Sequence, residues 1–380
     1  LTMLAILLAF AIAVYLIMML ALRIGLERSD GIARNTDYEP TVSIIVAARN
    51  EEQCIEACIE SLLQIDYPTD KLECIIVNDG STDRTAEIAR LSVETHPSKI
   101  RVINAHPGKD NLLGKTNAVA QGIEVSRGEV LMFTDADCTV PATWVRSTVR
   151  CFTGSVGVVG GFTLLKAETI FEGIQALDWI FLFGIASAMA GLRKPLTVIG
   201  NNLSVLRCAY NDVGGFQSIP FSVTEDYALV QAVLRKTNYR VAFPIDSSNL
   251  VRSIACRNVK QLFRQKQRWG VGGLDMVLRG MFIMSIGWIM RILLIASFFT
   301  VQHVVLAFAV ACVLFIDMRF LFKPLKRIEA LTYLKYFLFF ELYYLVYVPM
   351  IPIVAIISKN VVWKERGYKT GTPSDSGRRH

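Results

Sequence analysis

Cysteine pairs with the spacing of a metal site are missing from this sequence. The chain has 8 cysteines in 380 residues but no CxxC pair and no zinc-ligand spacing. No structural zinc site is therefore predicted. We expect the cysteines to be reduced and mostly buried, as is typical of small hydrophobic residues in a cytoplasmic protein: Cys54, Cys58, Cys74, Cys138, Cys151, Cys208, Cys256 and Cys312.

Charged residues are also scarce. They make up 19% of the chain, whereas hydrophobic residues make up 53%, and the mean hydropathy is +0.41. An ordinary soluble enzyme is less apolar than this, and a chain of membrane spans alone is less charged. There is no internal repeat, and the one biased tract is a polar tail from about Thr370, which we predict to be disordered. A soluble part combined with membrane segments is predicted.

The N-terminal segment is a long stretch without charge. Residues 1–22 contain no charged residue, and about 20 apolar residues match the hydrocarbon thickness of a bilayer. We predict a retained transmembrane helix rather than a cleaved signal peptide, because a basic leader and a clear small-residue cleavage site are lacking. Arg23, Arg28 and Arg34 follow in a linker over 23–40. Since basic residues favour the cytoplasmic side, the soluble part is expected in the cytoplasm at the cell (inner) membrane.

A second apolar region, 281–358, is predicted to contain two or three spans, with a cytoplasmic tail over 359–380. The candidate spans lie at about 283–301, 303–322 and 333–357. Three crossings would leave the basic tail outside, against the positive-inside rule. Two interpretations repair this. Either YVPMIP (347–352) breaks the last segment into a re-entrant shape, or the first segment, which contains Arg291, lies partly in the interface.

The net charge of +7 raises the question of a nucleic-acid partner. Many basic residues, however, flank apolar segments, where anionic lipid head groups are the commoner partner. We therefore predict a membrane partner and no nucleic acid.

Short apolar runs and amphipathic segments alternate through the soluble part. Strands are predicted over 41–49, 72–79, 100–105 and 130–137, and helices over 50–64, 81–94 and 114–126. This alternation predicts an α/β fold with parallel strands joined by crossover helices. Such sheets bind ligands beyond the carboxyl ends of their strands.

Two of these predicted strands end in carboxylates. Asp79 ends one, and Asp135 and Asp137 end another. Residues i and i+2 of a strand point the same way, so Asp135 and Asp137 can converge if a cation compensates their repulsion. A Mg²⁺ ion that holds a diphosphate is one solution. A pair of this kind alone is more often a solvated turn, but a further carboxylate, Asp79, at the end of another strand of the same sheet favours a shared ligand crevice.

Two later motifs bear on the same question. Glu225 and Asp226 begin an amphipathic helix, where the helix dipole alone would favour acidic residues. Gln265, Arg268 and Trp269 precede the second apolar region, and they equally suit an interfacial helix with basic side chains and a tryptophan at the membrane surface.

Taken together and in this order, the motifs resemble the D, DxD, TED and QxxRW series of the membrane-bound family-2 glycosyltransferases. That group includes hyaluronan, chitin and cellulose synthases, bacterial poly-N-acetylglucosamine synthases and ceramide glucosyltransferases. The resemblance covers about residues 40–270, and further similar stretches are VAARNEE (46–52), GKTNAVAQG (114–122), GNNLSVLRCAYNDVGGF (200–216) and WKER (363–366). It implies a Rossmann-like GT-A domain over 41–256, followed by an interfacial QxxRW segment over 257–280.

The resemblance also implies a role for each matching residue. Glu51, Asp79 and Lys115 would contact the nucleoside and diphosphate of a nucleotide sugar. Asp135 would lie near the ribose and the metal, and Asp137 would bind Mg²⁺ or Mn²⁺. Asp226 would be the general base, with Glu225 beside it in the catalytic motif. Gln265 and Arg268 would hold the diphosphate, and Trp269 would stack under the acceptor.

An amphipathic helix is implied at 169–192, because family members place one there. Glu172 and Asp178 within it would be costly in hydrocarbon. We therefore expect this helix to lie in the membrane interface rather than to span the bilayer.

The implied activity is the inverting, metal-dependent transfer of a hexose or N-acetylhexosamine from a UDP-sugar to a lipid-linked or glycolipid acceptor. A processive synthase of an extracellular polysaccharide is the alternative, although three or four short membrane segments are few for a polymer channel. Nucleotidyl transfer also uses metal-binding carboxylates, but it gives no reason for QxxRW beside a membrane. A non-catalytic membrane scaffold with a vestigial domain is the remaining hypothesis, and the complete set of carboxylates argues against it.

Overall fold

A computed structural model describes residues 3–95, 99–108, 112–273, 277–357, 360–363 and 366–369. The predicted tail from Thr370 lies outside these residues, as do Lys364 and Glu365 of WKER. The chain divides into two compact units that are not sequential: a helical unit of Leu1–Ser29, Leu165–Leu196 and Ala255–Lys359, and an α/β unit of Asp30–Leu164, Thr197–Ile254 and Asn360–His380. The prediction took 41–256 as one segment, and this domain assignment stays a prediction.

In the part of the helical unit that the structure describes, the long helices are α1 (Met3–Asp30), α6 (Ile170–Gly191), α9 (Val259–Gly273), α10 (Leu278–Ser297), α11 (His303–Arg327) and α12 (Phe337–Ile357). Among the described residues, five helices are long and apolar enough to cross a membrane: Met3–Asp30, Ile170–Gly191, Leu278–Ser297, His303–Arg327 and Leu331–Val354. Four of these coincide with the predicted spans.

Helix α6 differs from the other four candidates. The protein buries 83% of the apolar stretch of α6, against 22–33% of the corresponding stretch in the other four helices. Glu172 lies in its first turn, in a capping box with Thr169. Its apolar character is therefore explained by packing inside the protein, and its predicted place in the interface stays a prediction.

Small residues allow α1 and α6 to cross closely. A Cβ atom on Gly25 would lie 2.1 Å from the carbonyl oxygen of Ala188, and one on Gly191 would lie 2.0 Å from the carbonyl oxygen of Gly25. This backbone-to-backbone approach is the kind of packing that small residues permit between apolar helices.

Arg291 on α10 is buried and paired. Its guanidinium donates to Asp317 of α11 at 2.9 Å, and the hydroxyl of Tyr15 of α1 donates to the other oxygen of that carboxylate at 2.5 Å. The charge of Arg291 is thus compensated inside the helical unit and does not require α10 to lie in the interface. Helix α12 continues through Pro349 and Pro352, so the break considered at YVPMIP is not present.

The α/β unit is built from short strands and helices. The strands along the chain are β1 (Val42–Ala48), β2 (Leu72–Asn78), β3 (Ile100–Asn104), β4 (Val130–Asp135), β5 (Cys138–Thr139), β6 (Val156–Gly160), β7 (Thr163–Lys166), β8 (Leu203–Leu206), β9 (Arg240–Ala242), β10 (Val251–Ile254), β11 (Asn360–Trp363) and β12 (Arg366–Lys369). The helices are α2 (Ile55–Leu63), α3 (Thr85–Thr95), α4 (Gly114–Glu124), α5 (Trp144–Val149), α7 (Arg207–Asp212) and α8 (Glu225–Lys236).

The main sheet has seven strands in the order β3-β2-β1-β4-β8-β6-β9. Strands β3, β2, β1 and β4 are parallel, as predicted, and β8 runs antiparallel to β4. The chain steps outward from β1 to β3 and then returns to the other side of β1 to form β4. In sheets of this kind, ligands bind beyond the carboxyl ends of the strands at such a change of direction, so the crevice between β1 and β4 is the expected site.

Continuous apolar runs form the central strands because both faces of the sheet are covered. Ile44, Ile76 and Met132, one from each of three adjacent strands, are fully buried. Helix α2 covers the sheet with a stripe at helical spacing: Ile55, Cys58, Ile59 and Leu62. No disulfide joins the cysteines in the described parts of the chain; four of the eight are buried, and Cys208 is exposed.

Two helices begin later than predicted. Helix α2 begins at Ile55 rather than 50, because Asn50 adopts a left-handed conformation with φ 51°. Helix α3 begins at Thr85 rather than 81, because the Asp83 carboxylate accepts the N–H groups of Thr85 at 3.0 Å and Glu52 at 3.1 Å. These bonds fix the loop after β1 against the loop after β2.

Candidate active site

Acidic residues lie at the carboxyl ends of two parallel strands, β2 and β4, which flank β1. Asp135 is the last residue of β4 and is paired in register with Ala47 of β1. Asp79 follows β2 directly, and its N–H donates to the carbonyl of Ala48 at 2.8 Å. The two aspartates therefore flank β1 at the same edge of the sheet, two strand spacings or about 10 Å apart.

Asp137 is not part of the strand, contrary to our prediction. Strand β4 ends at Asp135, and Ala136 and Asp137 form a turn before β5. The alternation of side chains that would direct both aspartates the same way thus stops one residue too early. Asp137 nevertheless stays beside the strand end, where its carboxylate lies 3.4 Å from the sulfur of Cys138.

Lys115 connects two other predicted site residues, Asp135 and Glu225. It lies in the first turn of α4, and its ammonium is 2.6 Å from a carboxylate oxygen of Asp135 and 2.9 Å from one of Glu225. Burial lowers the pKa of Lys115, but the Asp135 and Glu225 carboxylates outweigh it and hold the pKa above its ordinary value. The lysine is therefore a fixed positive charge between β4 and α8.

Asp226 lies in the first turn of α8, next to Glu225. Its carboxylate accepts the N–H of Gly200 at 2.6 Å and that of Tyr227 at 2.7 Å. Burial and the neighbouring Glu225 raise the pKa of Asp226 to about 6, although Lys115 and the two N–H donors oppose the rise. A carboxylate with this pKa is ionised at neutral pH and is still basic enough to take a proton.

The segment that presents the Gly200 N–H is held by a buried asparagine. The side chain of Asn202 donates to the carbonyls of Phe162 and Asn249, both at 2.9 Å, and accepts from the indole of Trp144 at 3.0 Å. Sequence reasoning missed this role. Its signal in the sequence is the stretch GNNLSVLRC, whose resemblance to the family assigns no function to its asparagines.

A small cleft lies between α4, α8 and the ends of the central strands. Its polar lining comes from Lys115, Glu225, Asp226 and the backbone at Gly200, and its apolar lining from Ile45, Val119, Phe133, Leu203, Phe216 and Leu229. The cavity volume is about 20 Å³, which is room for about one water molecule. The cleft therefore shows where polar groups converge on an apolar wall, and as it stands it is too small to hold a sugar.

Glu51 and Asp79 lie in the loops beyond β1 and β2. The N–H of Glu51 donates to the hydroxyl of Thr85 at 2.8 Å. Arg49, which sequence reasoning did not select, donates to the carbonyls of Asp79 at 2.6 Å and Gly80 at 3.2 Å. These contacts hold the two loops together at the sheet edge.

The residues present fit a hard divalent cation that is completed by its ligand. Within the described parts of the chain, no three His, Cys, Asp or Glu side chains converge to hold a metal by themselves. Mg²⁺ needs only one or two carboxylates, because phosphate oxygens and water fill its other positions. Asp135 and Asp137, two residues apart at the strand end, supply that number.

The three QxxRW residues lie together on α9 of the helical unit. Trp269 is half-buried, with its ring centroid 5.3 Å from that of Trp179. The side-chain oxygen of Gln265 is buried, and no described group donates to it, which leaves a costly unpaired acceptor of about 1–3 kcal/mol. The structure thus gathers Lys115, Asp135, Glu225 and Asp226 in one unit, and carries Gln265, Arg268 and Trp269 on one helix of the other.

Comparison with known proteins identifies the fold. The structure is similar to that of the mannosyltransferase PcManGT from Pyrobaculum calidifontis, solved with GDP-Man and Mn²⁺. The TM-score is 0.61 at 18% identity, and the match covers 90% of this chain and 98% of that one. The predicted GT-A class, with a mixed α/β sheet and apolar helices, is confirmed.

Two curated relatives have membrane-lipid or polymer products in their names. The chain is 28% identical over 254 residues to the beta-monoglucosyldiacylglycerol synthase of Synechocystis sp., covering 64% of this chain and 50% of that protein. It is 26% identical over 242 residues to the poly-beta-1,6-N-acetyl-D-glucosamine synthase of Staphylococcus epidermidis, covering 63% and 56%. The chain thus spans about half the length of these relatives.

Two family descriptions match the sequence. Residues 43–207 match Glycosyl transferase family 2, and residues 130–357 match Glycosyl transferase family group 2. The second match covers more than half of the chain and includes both the carboxylate cluster and the QxxRW helix. This protein therefore belongs to the family 2 glycosyltransferases.

Proposed function

We propose that this glycosyltransferase moves a hexose or N-acetylhexosamine from a UDP-sugar to a lipid-linked or glycolipid acceptor, with inversion and with the help of Mg²⁺ or Mn²⁺. The observation that carries the proposal is the arrangement of Asp226 beside Lys115, Asp135 and Glu225. A half-buried carboxylate with a pKa of about 6 lies next to Lys115, whose positive charge is held between Asp135 and Glu225.

Asp226 acts as the general base in this proposal. It takes the proton of the acceptor hydroxyl while the hydroxyl oxygen forms a bond to the anomeric carbon, and the bond from that carbon to the diphosphate breaks. A single displacement of this kind inverts the anomeric centre. General-base catalysis typically contributes about 10²–10⁴-fold to the rate.

The diphosphate end of the donor is assigned to the strand-end residues. Asp137, with Asp135 beside it, would hold the divalent ion, which when bound stabilises the charge on the departing diphosphate. Lys115 adds a second positive charge, and Glu51 and Asp79 lie in loops at the same sheet edge for the nucleoside. Gln265 and Arg268 are assigned to the diphosphate, and Trp269 to the acceptor, because an indole offers an apolar face to a sugar ring or lipid head group.

A processive polysaccharide synthase is the second candidate. The name of the staphylococcal relative supports it, whereas the name of the cyanobacterial relative supports a glycolipid product. The two candidates differ in product length, so mass spectrometry of lipid and polymer products made from radiolabelled donors separates them.

The test begins with release of the nucleoside diphosphate by the purified membrane protein. UDP-glucose, UDP-N-acetylglucosamine and GDP-mannose are offered with Mn²⁺ or Mg²⁺ and with diacylglycerol, ceramide or polyprenyl phosphate as acceptors. We expect release with a UDP-sugar, and a loss of at least 100-fold in Asp137→Ala and in Asp226→Asn. Asp70→Asn, which changes an exposed aspartate of the same unit, serves as the matched control.

Two outcomes contradict the proposal. Turnover like that of the wild type in Asp226→Asn would remove the assigned base. No release from any donor in the wild type would favour a membrane scaffold.

We also propose that the α/β unit faces the cytoplasm, because Arg23 and Arg28 follow the apolar part of α1. Cys208 is the exposed cysteine of that unit. A membrane-impermeant maleimide should therefore label Cys208 in inside-out vesicles and not in intact cells, with Cys208→Ser as the control. Labelling in intact cells would reverse the orientation.

A further inference from the structure

Lys266 is a buried cation inside the QxxRW motif. It occupies the first of the two variable positions, and only 3% of its surface is exposed. Its ammonium forms an ion pair with Asp178 of α6, which is itself 4% exposed. The roles assigned above do not involve either residue.

Two aromatic rings complete the surroundings of the ammonium. It lies 4.3 Å from the centroid of the Trp269 ring and 5.1 Å from that of Tyr347 on α12. Lys266 and Trp269 are three residues apart on α9, so they share one face of the helix. The ammonium therefore joins α6, α9 and α12 at the ring of the proposed acceptor residue.

Stability alone does not account for this pair. A buried ion pair is often no more stabilising than apolar residues of the same volume. The attraction of a desolvated cation to an indole, by contrast, depends on the position of the ring, because it is strongest over the ring face. The contact thus favours one orientation of Trp269.

Trp179 limits the ring from a second direction. It follows Asp178 on α6, and its ring is tilted by 52° relative to that of Trp269. The same turn of α6 therefore supplies both the counter-ion of Lys266 and an aromatic contact to Trp269. The half-buried indole is left with a defined surface for a ligand.

We propose that Lys266, held by Asp178, is a positioning residue for the acceptor: it fixes the indole of Trp269 in the orientation that receives the acceptor sugar or lipid head group. This inference rests on the proposed function for the role of Trp269. It assigns to Lys266 an effect on acceptor binding and none on the nucleotide sugar.

The kinetic test compares Lys266→Met with Lys260→Met, which makes the same change at an exposed position of α9. We expect Lys266→Met to raise the KM of the acceptor at least 10-fold, with the KM of the donor and the rate of donor hydrolysis by water within twofold of the wild type. Lys266→Arg, which keeps a cation over the ring, should recover the acceptor KM to within threefold. Lys260→Met should leave all of these values unchanged.

A double-mutant cycle tests whether Lys266 acts through Trp269. In a Trp269→Phe background, Lys266→Met should change the acceptor KM less than twofold. The inference would be overturned if Lys266→Met raised the donor and acceptor KM equally. It would also be overturned if Lys266→Met raised the acceptor KM by a further 10-fold in the Trp269→Phe background.

A second readout does not need activity. The emission of Trp269 is obtained as the difference between a protein and the same protein with Trp269→Phe. Acrylamide should quench this emission at least twofold more strongly in Lys266→Met than in the wild type. Unchanged quenching would overturn the inference. Release of no nucleoside diphosphate by the wild type would instead contradict the proposed function, so the two failures are distinguishable.

Discussion

Replacing Asp226 by asparagine should abolish transfer. At neutral pH it should also have two opposite effects on the free energy of unfolding: removal of a disfavoured charge raises it, and loss of a hydrogen bond lowers it. The rise of the Asp226 pKa from 3.8 to about 6 means that the ionised form is disfavoured in the folded protein by about 3 kcal/mol. This figure is an upper limit, because Asp226 is only half-buried and water screens part of the effect. Ionised Asp226, the form that can accept a proton, thus lowers the free energy of unfolding.

The substitution also has a constant cost. The carboxylate accepts the N–H groups of Gly200 and Tyr227 with separate oxygens, whereas an asparagine side chain has one acceptor oxygen. One buried N–H would lose its partner, at about 1–3 kcal/mol. This cost does not change with pH, so it cancels when the two proteins are compared at two pH values.

The sign of the pH dependence follows from the raised pKa. The free energy of unfolding of the wild type, relative to that of Asp226→Asn, is highest below pH about 4. It falls as the pH rises through about 6 and is constant above that. We expect the difference in the free energy of unfolding to shift by up to about 3 kcal/mol in favour of Asp226→Asn between pH 4 and pH 7.5. Chemical denaturation in detergent, followed by the fluorescence of buried Trp144, measures it.

Activity provides the second half of this prediction. For the wild type, kcat/KM should rise about tenfold per pH unit below pH 6 and reach a plateau above it, because only ionised Asp226 accepts a proton. Asp226→Asn should be at least 100-fold slower and should lack this rise. A stability difference that is the same at both pH values, or a rise in kcat/KM that persists in the variant, would refute the reasoning.

Two further substitutions test the neighbouring contacts. Lys115→Met should raise the KM of the nucleotide sugar and move the half-maximal point of the pH profile upward, because Lys115 lowers the pKa of Asp226; an unmoved profile would contradict the coupling. Gly25→Ala should destabilise the helical unit by about 1–3 kcal/mol, since its Cβ would lie 2.1 Å from the carbonyl oxygen of Ala188. Size-exclusion chromatography in detergent and thermal unfolding measure this destabilisation. The control is Gly287→Ala, where the nearest atom outside the helix backbone is 3.8 Å from the added Cβ. Equal behaviour of the two variants would contradict the packing of α1 against α6.

The core strands of the sheet were predictable because a strand that is buried on both faces is a continuous apolar run in the sequence. Strands β1, β2, β3 and β4 all fall where continuous apolar runs predicted them. In these strands and the helices between them, the errors lie at the element ends. Helix α2 began five residues later than predicted, and Asp137 lay beyond its strand, because contacts between loops decide where an element stops, and those contacts join distant parts of the chain.

Helix α6 marks another limit of the sequence. Its composition is nearly that of a membrane span, and composition does not distinguish burial in protein from exposure to lipid. Asp178 identified the helix as unusual, and its partner Lys266 lies 88 positions later on α9. Only the folded helical unit brings the two charges together.

The sequence by itself determined the class of the protein: apolar ends, an α/β middle and four ordered motifs whose resemblance to family 2 glycosyltransferases the family matches confirm. It also determined that two strands stop at carboxylates, since their apolar runs end at acidic residues. The order of the strands, which places the crevice between β1 and β4, was decided by the tertiary structure. So was the pKa of Asp226, because burial, Glu225, Lys115 and the Gly200 N–H act on it through space, and no spacing along the chain encodes those distances.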